Sequence, residues 1–177
     1  MSVFEETIEI SKVTSSDLEA LRLISIQTFT ETFSEHNSPS NMQQYFSENL
    51  TAEKLSLEFQ NPYSTFYFVR MNDKIIGYLK INSGKAQTEK QSEPTLEIER
   101  IYVLKEFHGK HIGQLLFEKA KSIATNNHYN FIWLGVWEKN ERAIAFYTKQ
   151  GFTKFDQHIF VLGNDEQTDI MMKLKLK

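Results

Sequence analysis

Two carboxylates on one apolar stretch, Glu97 and Glu99 in Leu96-Glu97-Ile98-Glu99-Arg100-Ile101-Tyr102, are the first residues of this chain equipped for chemistry. Strict strand alternation puts Glu97, Glu99 and Ile101 on one face and Ile98, Arg100 and Tyr102 on the other. Burying charge is costly. Such a pair on a central strand is therefore an acid–base pair for proton transfer, a solvated face, or a partner of Arg100. Downstream, Lys105-Glu106-Phe107-His108-Gly109-Lys110-His111-Ile112-Gly113 leads from that strand into a helix. A strand that passes through a glycine-containing loop into a helix N-terminus makes an anion site, because the leading amides point outward and the dipole favours negative charge. His108 and His111 stand three apart, not at the i, i+4 spacing of a helical zinc pair, and no adjacent carboxylate or cysteine completes a set. No metal is expected. Tyr147 is the remaining candidate: a phenol stays protonated at neutral pH and can donate a proton, although it is equally suited to a core.

These residues need elements to hold them, and Phe131 to Phe152 supplies the clearest. Phe131 to Val136, apart from Gly135, reads as a buried strand. Asn140 is a good helix N-cap, and Glu141 favours the dipole in the first turn. Ala143, Ile144, Phe146 and Tyr147 share one helical face, and Gly151 closes the helix. Upstream, Thr7–Ile10 is a short strand, and Ser16 with Glu19 forms a capping box for a helix carrying Leu18, Leu21, Ile24, Phe29 and Phe33. A second helical region runs from about Met42 to Phe59, interrupted near Thr51. Thr65–Arg70 and Lys74–Asn82 form a hairpin around Asn72-Asp73. Ser83–Pro94 is polar and reads as a long exposed loop. Thr95–Val103 is a strand, a helix runs from Gly113 to about Thr125, and Gln157–Leu162 pairs with Asp169–Leu176. The order β-α-α-β-β-β-α-β-α-β-β makes a mixed α/β architecture of about seven strands, expected to be one domain over residues 1–177.

Composition excludes some classes. The 177 residues are 40% apolar and 24% charged, which fits a globular chain. With no cysteine there is no disulfide framework or thiolate chemistry, as suits a cytoplasmic protein. The opening MSVFEETIEI is acidic without an apolar segment, so no signal peptide is expected, and no apolar run approaches a membrane span. A net charge of −3 argues against nucleic acid as a partner and is compatible with a cationic substrate.

The pattern Asn140-x-x-Ala143-x-x-Phe146-Tyr147-x-x-x-Gly151-Phe152 resembles the C-terminal signature of the GNAT family of acetyl-CoA-dependent N-acetyltransferases. The His108–Gly113 loop resembles the family's pyrophosphate loop in part. His108 stands for the usual Gln or Arg, His111 for the first signature glycine, Gly109 is extra, and Gly113 matches. The resemblance implies a GNAT fold with splayed central strands flanked by helices. Acetyl-CoA would be the cosubstrate, with its pyrophosphate on the amides of His108, Gly109, Lys110, His111, Ile112, Gly113 and Gln114. The pantetheine arm would lie along the exposed backbone of Ile101, Tyr102 and Val103, with Val136, Trp137 and Asn140 on its other side. It also implies that Tyr147 donates a proton or hydrogen bond to the coenzyme A sulfur, and that Glu97 is the general base, ahead of its neighbour Glu99.

LEIERIYV, IWLGVWEKNERAIAFY, GNDEQTDIMMK and QTFTETFSEHNSPSNM together resemble the PaiA-type spermidine/spermine N-acetyltransferases. A polyamine site needs spaced carboxylates and some aromatic wall. Glu31, Phe33, Glu35, Glu97, Glu99 and the Asp165-Glu166 hairpin are the candidates, each equally able to be surface charge or core. Another small amine, a protein amine, or a non-catalytic acetyl-CoA-sensing role are the alternatives. Dimers through an exposed strand or a late hairpin are common in the family, which leaves a homodimer open.

Overall fold

Seven alternating segments pair into one mixed sheet in the order β1-β2-β3-β4-β5-β7-β6. The computed structural model describes residues 6–177, so part of the expected leaderless N-terminus, residues 1–5, lies outside the described residues. The strands are β1 (Ile8–Lys12), β2 (Ser64–Met71), β3 (Lys74–Ser83), β4 (Thr95–Val103), β5 (Phe131–Trp137), β6 (Thr153–Leu162) and β7 (Asp165–Lys175). The helices are α1 (Leu18–Phe33), α2 (Pro39–Asn49), α3 (Ala52–Gln60), α4 (Ile112–Asn126) and α5 (Glu141–Lys149). Every neighbouring pair is antiparallel except β4 and β5, which α4 connects in parallel. No described helix is long and apolar enough to cross a membrane.

Local chemistry sets the boundaries. The expected helical region near Met42–Phe59 is two helices, because Thr51 turns its hydroxyl onto the Lys54 amide (3.1 Å) and starts α3 afresh. Ser38 caps α2 in the same way, with Pro39 in its first turn. The expected Ser16–Glu19 capping box is corrected. Asp17 reaches back to the Thr14 amide (2.8 Å), so a short 3-10 turn precedes α1, while Glu19 pairs with Arg22 (2.8 Å). Asn140 caps α5 as expected, accepting from the Ala143 amide at 3.2 Å, and Gly151 closes it at φ 98°.

Two layers of helix cover the sheet. On one face Phe117 of α4 meets Phe146 of α5 and Phe152 edge-on (6.4 and 5.7 Å), over Leu96, Ile98, Ile132 and Leu134. Each fully buried side chain of this size contributes about 1.5–3 kcal/mol. On the other face Leu21 and Ile24 of α1 pack on Phe66, Phe68 and Tyr78. The buried hydroxyls of Ser25 and Thr28 are satisfied by carbonyls of their own helix, at 2.6 and 2.7 Å.

One irregularity overturns the expected alternation on β4. Lys80 pairs with Arg100 and Ile81 with Ile98, so Glu99 is an extra residue in the ladder. The bulge resets the faces. Leu96, Ile98, Ile101 and Val103 join the α4 core, whereas Glu97, Glu99, Arg100 and Tyr102 turn to the opposite side. β4 and β5 pair only from Thr95 to Glu97 and from Phe131 to Trp133. Beyond that they part.

The Ser83–Pro94 loop is also less exposed than its composition implies. Gln87 folds inward to accept from Thr95 Oγ1 (2.6 Å) and Trp133 Nε1 (2.7 Å).

Gly77 of β3 tests this packing. A Cβ there would run into the Tyr102 carbonyl oxygen, with Val103 Cα at 3.1 Å. Gly77→Ala should destabilise the fold by about 1–3 kcal/mol in urea denaturation; an unchanged midpoint would show that β3 and β4 are not held at this spacing.

Candidate active site

Where β4 and β5 part, two cavities meet. One, of about 350 Å³, opens beside the start of α4; the other, of about 550 Å³, lies on the charged face of β4. Ile101, Tyr102, Asn140, Ala143 and Tyr147 line both. A molecule threaded through the split would thus touch the same five residues from both ends.

The smaller cavity has the character of an anion cradle. His111 adopts a left-handed conformation (φ 61°) as the residue before α4, and Gly109 has φ 80°. The first intrahelical bond runs from the Leu115 amide to the His111 carbonyl (3.2 Å), which leaves the amides of Ile112, Gly113 and Gln114 ahead of the helical ladder. A Cβ built at Gly109 or Gly113 would meet no protein atom within 4 Å. Arg142 and Lys149 add positive charge to the wall, while the Lys110 ammonium lies over Phe107 at 5.3 Å.

His108 is a bridge across this cavity. Arg142 Nη1 lies 2.6 Å from its Nδ1, and its Nε2 lies 2.8 Å from the Val103 carbonyl. Since arginine can only donate, Nδ1 accepts and Nε2–H donates. Burial pushes the His108 pKa down, and the Arg142 charge adds to that. The imidazole is neutral. The Val103 carbonyl thus already accepts one hydrogen bond from within the chain and keeps its second lone pair. Among the described residues no group of three or more His, Cys, Asp or Glu could hold a metal.

On the larger cavity, sequence reasoning named Glu97 and Glu99 but missed their partners. Glu97 is only 2% exposed and accepts from Asn82 Nδ2 (3.0 Å), the Thr88 amide (2.9 Å) and the Thr88 hydroxyl. Burial pushes its pKa up, against the Thr88 hydrogen bond. Glu99 contacts Lys80 at 2.5 Å, Arg100 at 3.4 Å and Asn82 Nδ2 at 2.6 Å. Burial would raise its pKa too, but Arg100 and Lys80 outweigh that and hold it below the usual range. Glu58 of α3 completes the cluster, taking both Arg100 (2.9 and 3.1 Å) and Lys80 (3.1 Å). The two adjacent carboxylates are thus pushed in opposite directions, Glu97 upward by burial and Glu99 downward by its two cations.

Tyr147 is 6% exposed, packs on Phe146 and Phe152 (5.3 and 5.5 Å), and has its pKa pushed up by burial, so its phenol is protonated. Val136 and Trp137 line the larger cavity, and Trp137 lies 5.3 Å from Phe33, which lines it too. Glu31 and Glu35 do not line either cavity; Glu31 instead accepts from the Lys105 amide (2.7 Å). Asp165, from the late hairpin, accepts from Gln167 at 3.0 Å and also stands apart. His158 and Asp169, which sequence reasoning did not single out, do line the larger cavity. Their signal was Gly135, a glycine inside a buried strand, which marks a close approach.

Comparison with known proteins bears on this geometry. The model of the acetyltransferase (GNAT) family matches residues 19–152. The chain is 40% identical over 169 residues, 96% of this chain and 98% of the relative, to an uncharacterized N-acetyltransferase in the pepI 3′ region of Lactobacillus delbrueckii subsp. lactis. It is 25% identical over 161 residues to an uncharacterized N-acetyltransferase of Mycobacterium tuberculosis, covering 91% of this chain and 99% of that one. Its fold is shared with the PaiA N-acetyltransferase of Thermoplasma acidophilum, solved in complex with coenzyme A (TM-score 0.76, 22% identity, 96% and 99% of the two chains). Arabidopsis thaliana NAA60, solved with a bisubstrate analogue, is similar as well (TM-score 0.71, 12% identity, 97% and 100% of the two chains).

The charge cluster makes a prediction about stability. Lys80 is 4% exposed between Glu58 and Glu99, so Lys80→Met leaves buried negative charge undercompensated. A loss of about 3–5 kcal/mol at pH 7 is expected in chemical denaturation. Because the folded pKa of Glu99 is depressed, its contribution is present above the unfolded value and lost as pH falls through the folded one. Lys80→Met should flatten that acid-side loss; an unaltered acid limb would mean Lys80 does not govern Glu99.

Proposed function

The chain belongs to the GNAT family of acetyltransferases, and we propose that it moves the acetyl group of acetyl-CoA to a small cationic amine, with spermidine or spermine as the first candidate acceptor. The observation that carries this reading is the meeting of the two cavities beside Tyr147 in the gap between β4 and β5. One end of the gap suits the anionic part of coenzyme A. The amides ahead of α4 and the open space over Gly109 and Gly113 would take the pyrophosphate, with Arg142 and Lys149 beside it. The arm would then run between Ile101–Tyr102 and Asn140–Ala143 and bring the thioester to Tyr147, as an added strand docks on an open edge.

The other end suits an ammonium. Glu58, Glu89, Glu97, Glu99 and Asp169 line it against Lys54 and Arg100. Lys80 and Arg100 neutralise Glu58 and Glu99, so Glu97, together with Glu89 and Asp169 on either side of His158, remains to attract a cation. Phe33, Trp137 and Phe160 give it an aromatic wall. This balance supports a small cationic acceptor; the polyamine assignment adds the resemblance to the PaiA group.

In the reaction the acceptor ammonium first loses a proton, to Glu97 on the sequence expectation or to another basic group of the same cavity. The free amine attacks the thioester carbonyl, the C–S bond breaks, and the nitrogen sheds its second proton, which balances the one that the departing sulfur takes up. Tyr147, protonated, donates a hydrogen bond or proton to the departing sulfur. Alignment of the two substrates in one ternary complex supplies much of the acceleration. No cysteine is available to carry an acyl intermediate, which accords with direct attack.

Thiol release from acetyl-CoA should appear with spermidine and spermine ahead of putrescine, aminoglycosides and lysine peptides; coenzyme A binding without release for any amine would favour a sensing role instead. Tyr147→Phe keeps the packing, so kcat should fall on the order of 10–1000-fold with little change in acetyl-CoA affinity. Wild-type turnover would relegate Tyr147 to the core. Gly113→Val, at a site with room for a side chain, should leave the fold intact while weakening coenzyme A binding in calorimetry. Unchanged affinity would misplace the pyrophosphate.

A further inference from the structure

We infer that His108 is a positioning residue of the coenzyme site: by accepting one N–H of Arg142 it aims that guanidinium at the pyrophosphate of coenzyme A. The inference rests on the acetyl-CoA reading of the smaller cavity and adds how this chain orients the cation there.

Arg142 stands apart from the other arginines. Arg22 pairs with Glu19 (2.8 Å), Arg70 with Asp17 (3.8 Å), and Arg100 with Glu58 (2.9 Å) and Glu99 (3.4 Å). Among the described residues no carboxylate comes within ion-pair distance of Arg142. Its side-chain partner is instead the imidazole Nδ1 of His108, at 2.6 Å. The difference matters in a cavity suited to an anion. A carboxylate would hold the guanidinium equally well, but it would cancel the charge and repel a diphosphate. An imidazole nitrogen accepts one N–H and leaves the charge and the other donors for a ligand.

The bridge is fixed at its far end too. His108 Nε2–H donates to the Val103 carbonyl (2.8 Å), where β4 finishes. Arg142 sits in the first turn of α5, so the ring joins the end of one parted strand to the helix opposite. His108 also opens directly into the turn made by Gly109 (φ 80°) and His111 (φ 61°), which leads to the amides ahead of α4. A Cβ at Gly109 or Gly113 would meet no protein atom within 4 Å, and His108, Gly109, Gly113 and Arg142 all line the cavity. An anion on those amides would therefore meet a guanidinium already oriented. An arginine restrained before binding loses less freedom on contact, and preorganisation of this kind adds affinity.

The arrangement holds while Nδ1 carries no hydrogen, because a guanidinium cannot accept. The charged groups facing the ring are Arg142 from α5, Glu31 from α1 and Lys105 from the turn after β4. Burial is the largest influence and lowers the imidazole pKa. Arg142 and Lys105 lower it as well, against the Val103 hydrogen bond and Glu31. Glu31 is itself spent on the Lys105 amide (2.7 Å), which fixes the start of the same loop. At pH 8 the ring is neutral.

Calorimetric titration with coenzyme A at pH 8 tests this without turnover. Arg142→Gln should weaken binding about 10–100-fold, the worth of a hydrogen bond to a charged group. It should weaken 3′-dephospho-coenzyme A to the same extent, since both carry the pyrophosphate. A loss confined to coenzyme A would send the guanidinium to the 3′-phosphate and overturn the assignment. His108→Phe keeps a ring but cannot accept, so it should weaken binding about 3–10-fold, and no further when combined with Arg142→Gln. His108→Gln, whose amide oxygen can accept from Arg142, should restore most of the affinity. Loss of packing alone would give neither the rescue nor the non-additive pair. Binding enthalpies in Tris and HEPES should agree, because no proton is taken up. Proton uptake would make His108 a charged ligand in its own right, and additive losses would make it independent of Arg142; either result overturns the positioning role. A parent that binds no coenzyme A overturns the acetyl-CoA reading itself, whereas variants that bind as well as a binding parent overturn this inference alone.

Discussion

The extra residue in β4 is the constraint from which the site is built. By inserting Glu99 between the rungs Ile98–Ile81 and Arg100–Lys80, the bulge turns two adjacent charged side chains to the same side. A regular strand would send one of them into the apolar layer under α4. Instead Glu99 and Arg100 meet Lys80 and Glu58 in a cluster of two positive and two negative charges. Such a cluster adds little stability over an apolar replacement of the same volume. Its effect is directional, since each charge has two partners and β4 is fixed by all of them. The bend that accompanies a bulge also fits where β4 leaves β5, two residues before it.

Beyond that point one strand serves two environments. The side of β4 carrying Ile101 and Val103 packs toward α4, and the side carrying Arg100 and Tyr102 faces the charged cavity. Tyr147 reaches both because α5 starts at Asn140, which caps the helix and lines each cavity. The gap itself is polar backbone flanked by apolar side chains. At the anion end the two walls are tied by side chains in two places, the His108 bridge from Val103 to Arg142 and the paired amides of Gln114 and Gln150 (2.6 and 3.1 Å).

Contiguous features were the legible ones. The β5–turn–α5 segment is readable because its strand, cap, amphipathic face and closing glycine follow one another within Phe131–Phe152, and each is decided by neighbours in sequence. The glycine-containing turn from β4 into α4 was readable for the same reason. The bulge was not, because an extra residue exists only relative to the partner strand. Ser83–Pro94 was misjudged because polar composition does not tell whether hydrogen bonds go to water or, as with Gln87 and Thr88, to Trp133 and Glu97. Lys80 within Ile75-Ile76-Gly77-Tyr78-Leu79-Lys80-Ile81 was a readable oddity, a charge in an apolar run, that pointed to a buried counter-ion. The partner of Glu31 was out of reach of sequence spacing, since the Lys105 amide is 74 residues away.

The parted strands carry one more consequence. Backbone groups that a closed ladder would satisfy stand open along the gap. A ligand that fills the gap completes the sheet from outside, and it can do so only in the folded chain. Its binding energy is then also folding energy, growing as the logarithm of ligand concentration over Kd, or about 2.7 kcal/mol at a hundredfold excess. The sheet's resistance to heat is therefore not a property of the polypeptide alone. It is a gauge of how much of its cosubstrate the surroundings hold.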